Sequence, residues 1–298
     1  MAKNDSYIIS CCSTVDTDPD FFEEKDVHYV CFHYFLDDVE YRDDFGQSMP
    51  MHDFYQKMTD GAMTRTSQVN AEEFIDYFTP FLEDGKDIFH VCLSSGISGV
   101  MNSAVVAASE LRDQYPSRRI IVMDSLSASS GYALIVSKLA ELRDSGYTLE
   151  ELETWMYNYR QKDNTWFFTT DLTFFIRGGR VGKVSGWFGT QLNICPLLNV
   201  NKEGKLIPRS KHRGKKTVKK AIVDTMLEWA EDGAFYNNDV YITHSDCYED
   251  AREVADMIEA AFPQLKEKVR IYYVGTTIGS HTGPGTVALA FWGRDKQL

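Results

Sequence analysis

The sequence predicts an α/β protein in two lobes, an N-terminal parallel-sheet α/β lobe over residues 1–160 and a C-terminal α+β lobe over 161–298. Three observations predict it. The chain has 298 residues, ample for two cores. Its first half alternates short apolar, β-branched runs with helical patterns, which is how a parallel sheet with covering helices is written. Its second half adds strand pairs to the same alternation.

In the first lobe, Tyr7–Cys11, Val27–Phe35, Ile88–Leu93 and Ile120–Met123 read as strands, being compact apolar runs bounded by polar residues. Helical patterns cover Ala71–Leu82, Met101–Gln114 and Gly131–Arg143. Thr148 to Arg160 reads as a further helix, with Thr148 as N-cap and Glu150 and Glu151 in the first turn. The second lobe is expected to begin near here. Trp166–Thr170 reads as a strand. Ile194–Val200 and Lys205–Ser210 read as a strand pair around Asn201-Lys202-Glu203-Gly204, which has hairpin chemistry. Helices over Lys215–Glu231 and Glu249–Phe262 alternate with strands over Val240–Thr243, Val269–Val274 and Thr286–Trp292. No internal repeat or low-complexity segment interrupts the pattern.

Composition narrows the function. The formal net charge is −13, from 31 basic and 44 acidic residues, so the chain is a poor generic binder of nucleic acid or anionic membrane. The local exception is Lys202 to Lys220, with nine Lys/Arg against the single Glu203. It reads either as a solvated face or as a docking patch for a protein or its phosphates. The six cysteines form no CxxC pair and sit mostly in apolar runs, which points to reduced thiols in a reducing, cytoplasmic compartment. No stretch reaches the ~20 apolar residues of a membrane span, and the apolar run near the N-terminus is too short for a signal peptide. This argues against an integral membrane protein and leaves transient membrane contact open.

Four small polar loops are candidates for chemistry. Thr66-Ser67-Gln68 precedes a helical pattern, where hydroxyls either cap the helix or hold an anion. Ser94-Ser95-Gly96-Ile97-Ser98-Gly99 follows a strand and opens a helix. It reads as a tight turn, or as a site where amides, hydroxyls and the helix dipole stabilise a carboxylate or phosphate. Arg177-Gly178-Gly179-Arg180-Val181-Gly182-Lys183 could aim Arg180 at an anion. Gly279-Ser280-His281-Thr282-Gly283-Pro284-Gly285, expected as a loop between two strands, presents His281 and Thr282. Enzyme motifs fail. There is no GxGxxG, no complete P-loop, no GxSxG, no HExxH, and no metal-ligand spacing.

The succession of TSQ at Thr66, SSGISG at Ser94, MDSLSAS at Met123, RGGRVGK at Arg177, LNICPLLNV at Leu192, HRGKKT at His212 and HTGPG at His281 resembles the DegV family across nearly the whole chain. Three departures are visible, one being an N-terminal region rich in aromatics and acids. CCSTVDTDPD stands where the family usually has an Asp-Ser/Thr turn, and Val69 follows TSQ where proline is common. The resemblance implies a two-lobe fold with a long-chain fatty acid buried at or near the junction. It implies a carrier that presents the carboxylate to a separate fatty acid kinase catalytic subunit, with no cofactor and no metal. Carried onto this chain, it assigns carboxylate binding to Thr66, Ser67, Ser95, Ser98, His281 and Thr282. Arg180, Arg213 and Lys215 are expected at an anion or partner-docking site. The alternatives are an enzyme acting on a small carboxylated or phosphorylated metabolite, with His281 as acid or base, and a ligand sensor without a kinase.

Overall fold

The computed structural model describes residues 4–181 and 193–298. Gly182, Lys183 and Leu192 of the motifs above lie outside the described residues.

Among the described residues, the first half of the chain supplies seven strands: β1 (Tyr7–Cys12), β2 (Val27–Val30), β3 (His33–Leu36), β4 (Val39–Arg42), β5 (Thr64–Ser67), β6 (Asp87–Cys92) and β7 (Ile120–Asp124). Six follow: β8 (Asp163–Thr169), β9 (Ile194–Val200), β10 (Leu206–Arg213), β11 (Val240–His244), β12 (Val269–Tyr273) and β13 (Thr286–Trp292). They form three sheets. One is fully parallel in the order β2-β1-β6-β7. β1 is buried at every position, as a strand covered on both faces must be. The largest has the order β10-β9-β8-β13-β11-β12, antiparallel except for β11 against β12. The third is a small antiparallel sheet, β4-β3-β5.

Two features join these layers. The helix Ser129–Asp144 packs on β1 on one side and on β8, β11 and β13 on the other, which buries most of its residues. One continuous apolar cluster, from Ile9 and Phe89 to Leu289 and Phe291, runs through both large sheets. β10 lies at the edge and carries Pro208 beside a register shift, where a missing N–H costs no ladder bond.

The helix capped by Thr148 has a full capping box, with Glu151 reaching back to the Thr148 amide. Three expectations are corrected. Val27–Phe35 is not one strand. It breaks at Cys31-Phe32, where the Phe32 amide donates to Ser13 Oγ at 3.1 Å, and its two halves join different sheets. Thr66 and Ser67 lie within β5 rather than in a loop, because β3 supplies their backbone partners. The histidine stretch is helical over Thr276–Thr282 and turns only at Gly283. The helix Met51–Thr59, which covers Tyr34 and Leu36 of the small sheet, has no counterpart in the sequence reading.

Candidate functional site

In the parallel sheet the chain runs from β1 to β2 on one side and from β6 to β7 on the other. The carboxyl ends of β1 and β6 therefore flank a natural crevice. Against this edge lies a cavity of about 640 Å³. Its walls come from the loops after β6 and β7, from β5, from the helices Thr173–Gly178 and Thr276–Thr282, and from one face of the six-stranded sheet.

The walls are apolar along their length, with Phe32, Leu93, Met101, Phe167, Phe175 and Ala288 among them. Phe167 and Phe175 stack with ring centroids 5.7 Å apart. Register sets the direction of the cavity. Thr286 pairs with Thr169, Ala288 with Phe167 and Ala290 with Thr165, so the lining residues Thr286 and Thr165 lie four positions apart, roughly 13 Å along the strands.

At the Thr286 end stand Thr282, whose carbonyl accepts Thr286 Oγ1 at 3.4 Å, and His281. Thr66 on β5 and His281 on the helix are 2.8 Å apart, Oγ1 to Nε2. On the other ring nitrogen, Arg180 Nη1 lies 3.5 Å from Nδ1 and also donates to Gly178 O at 2.6 Å. Burial, reinforced by the nearby Arg180 charge, lowers His281 to about 4. The imidazole is therefore neutral near pH 7. Arg180 is a donor, so Nδ1 accepts and Nε2 carries the proton. Nε2–H then donates to Thr66 Oγ1, which leaves the Thr66 hydroxyl proton to point at a ligand.

Across the mouth, Ser98 Oγ accepts from the Val100 amide at 3.2 Å and donates to Gln68 Oε1 at 3.4 Å. Gln68 Nε2 donates to Ser103 Oγ at 3.1 Å, tying β5 to the helix Val100–Gln114. Met101 and Asn102, in the first turn of that helix, line the cavity together with its N-cap Gly99, so the positive end of its dipole lies at the cavity wall. The Ser95 amide is spent on Asp124 Oδ1 at 3.2 Å, and the Ser95 side chain is exposed at the rim. The turn beyond His281 requires glycine. Gly283 has φ 68 and ψ 178, and any Cβ there would run into the Phe174 ring.

Seven of the nine residues singled out from sequence line this cavity: Thr66, Ser67, Ser95, Ser98, Arg180, His281 and Thr282. Arg213 and Lys215 do not. Arg213 ends β10, and Lys215 opens the next helix with Nζ 2.6 Å from Asp250. The basic stretch is less one-sided in space than along the chain. Lys219 pairs with Asp250 and Glu253, and Lys220 pairs with Asp224. Sequence reasoning missed Gln68, Asn102, Ser129, Thr165 and Thr277 in the lining. Gln68 was within reach, as the third residue of TSQ. Ser129 closes the MDSLSAS stretch but was given no role there, and Asn102, Thr165 and Thr277 sit inside regular elements with no local signal.

Among the described residues no group of three or more His, Cys, Asp or Glu could hold a metal ion. None of their helices is long and apolar enough to cross a membrane.

Fold and cavity together define an α/β protein with a deep apolar chamber and a polar, anion-suited mouth. A family model described as "Uncharacterised protein, DegV family" matches residues 9–294, and the chain belongs to the DegV family. It is similar to a DegV domain-containing protein of Clostridium perfringens, 32% identical over 293 residues, covering 98% of this chain and 99% of that protein. Among solved structures it is similar to a DegV family protein from Thermus thermophilus described as fatty acid binding, with TM-score 0.83, 26% identity, and coverage of 97% of this chain and 100% of the other. It shares its fold with the Fatty Acid Kinase (Fak) B3 protein of Streptococcus pneumoniae, loaded with linoleic acid, at TM-score 0.80, 21% identity, and coverage of 97% and 99%.

Proposed function

We propose that this protein is a cytoplasmic carrier that holds a long-chain fatty acid at the junction of two lobes, divided near residue 160. Its carboxylate would be presented to a separate kinase that makes the acyl phosphate. One observation carries the reading: the hydroxyls of Thr66, Ser67, Ser95 and Ser98, with Arg180 and His281, line one cavity whose remaining wall is largely apolar. An amphiphile with one small anionic end and a long tail matches that polarity. Burying the tail supplies about 0.8 kcal/mol per methylene, on the order of 12 kcal/mol gross for a C16–C18 chain before ordering costs. An unpaired buried carboxylate would cost several kcal/mol, and the mouth offsets that with donors.

Ser67, Ser95 and Arg180 are exposed, so a carboxylate held between them stays within reach of a second protein. The Fatty Acid Kinase (Fak) B3 protein of Streptococcus pneumoniae, which shares this fold and is loaded with linoleic acid, is consistent with this reading. Arg213 and Lys215 are the proposed outer contacts for that partner or its nucleotide phosphates. Titration of a long-chain fatty acid into lipid-stripped protein should give saturable one-to-one binding. Adding a fatty acid kinase and ATP should then yield acyl phosphate. Turnover of a small metabolite by the chain alone would contradict the carrier role.

A further inference from the structure

The helix Thr276–Thr282, which presents His281, is seven residues long and has no side-chain cap of its own, because Gly275 stands at its N-cap. Its cap comes from 233 residues away. Asp43 Oδ1 accepts the Thr276 amide at 3.1 Å and Thr276 Oγ1 at 2.8 Å. Asp43 Oδ2 accepts Ser13 Oγ at 3.0 Å, the Ser13 oxygen accepts the Phe32 amide, and Phe32 O accepts the Asp43 amide at 2.9 Å. Asp43, Ser13 and Thr276 are all buried.

Asp16 stands beside this cap, its Oδ1 2.7 Å from where a Cβ on Gly275 would be. Burial, and then the neighbouring Asp43, push Asp16 well up. Burial raises Asp43 too, but the Thr276 hydroxyl and amide oppose it.

Two more residues from the same half of the chain fix the helix along its length. Tyr55 Oη donates to Val274 O at 2.7 Å, and Thr64 Oγ1 donates to Ser280 O at 3.2 Å. Thr64 and Thr66 lie on one face of β5, so the Thr66–His281 contact depends on the register between β5 and this helix.

We propose that Asp43 is a positioning residue for the ligand's head group. By capping the His281 helix it holds His281 and Thr66 in hydrogen-bond register, so that losing it weakens recognition of the carboxylate and spares the hold on the tail. This rests on the fatty-acid reading, and the test separates the two. The affinities of a long-chain fatty acid and of the matching long-chain alcohol are measured for the unaltered protein, Asp43→Asn, Thr276→Val and Asp16→Asn. Asp43→Asn should weaken the acid about tenfold, the scale of one hydrogen bond to a charged group, and the alcohol less than about twofold. Thr276→Val, a near-isosteric change, should weaken the acid alone by about threefold, and Asp16→Asn should change neither ligand by more than about twofold.

Equal losses for acid and alcohol, or no loss for the acid, would overturn the proposal. The ¹⁵N resonances of the His281 ring in ligand-free protein give a readout that needs no ligand. Asp43→Asn and Thr276→Val should shift Nε2, and an unmoved resonance in both overturns the proposal. If the unaltered protein binds neither ligand, the carrier reading fails while the resonances still decide the role of Asp43.

Discussion

At the scale of single residues, the Thr66–His281 pair concentrates the chemistry. Thr66→Val keeps the shape of the side chain and removes the hydroxyl that the neutral imidazole orients. We expect it to weaken binding of a long-chain fatty acid about tenfold, as calorimetry would measure, the usual loss for one hydrogen bond to a carboxylate. His281 also makes a pH prediction. Its folded-state value of about 4 lies below the ordinary 6.5, so the unfolded chain binds more protons between those limits. Stability contributed through this group is full above pH 6.5 and falls as the pH drops toward 4. Buried His90, lowered to about 3 by burial, acts in the same direction. Denaturant melts of His281→Asn should therefore show a shallower fall than the unaltered protein over that window, with part of the slope remaining. An identical slope would show that His281 is not buried in its neutral form. The residues of the mouth were legible because Gly, Ser, Thr and His cluster in short punctuating stretches. Thr165 was not, because it sits inside β8, whose pattern reads as core, while Ser129 was visible only as the end of MDSLSAS, with no role attached.

Elements carry two further predictions. Gly283 ends the His281 helix in a conformation open essentially to glycine alone, against the Phe174 ring. Gly283→Ala should cost about 2 kcal/mol of stability, read as a lower thermal midpoint, with backbone strain and collision acting together. Ala288 lies midway along the cavity wall, paired across the sheet with Phe167. Ala288→Phe should fill the chamber beyond the mouth and lower affinity for a C18 acid at least about tenfold. A C8–C10 acid should lose much less, and a chain-length series would display the crossover. Most elements were legible from periodicity, including β13 at its observed limits and the capped helix at Thr148. The small sheet was not. Its strands are four residues each, and β4 and β5 lack an apolar run, so pairing with β3 rather than propensity makes them strands.

At the scale of the whole molecule, the division of polarity is the functional statement. The apolar cluster runs through both large sheets, while Thr66, Ser67, Ser95, Ser98, Arg180 and His281 share one cavity. Sequence order hides this arrangement. Thr66 and His281 are 215 residues apart, and only the packing of β5 on the last helix joins them. The basic stretch from Lys202 hides something in the opposite sense, because two of the acids that offset it, Asp250 and Glu253, lie on another helix. The central claim is that the cavity holds a fatty acid in the cell. Its most direct test is to purify the protein natively, denature it, extract with organic solvent and identify the extract by mass spectrometry. The account predicts one long-chain fatty acid in near-stoichiometric amount. Folded protein that yields no lipid would contradict it.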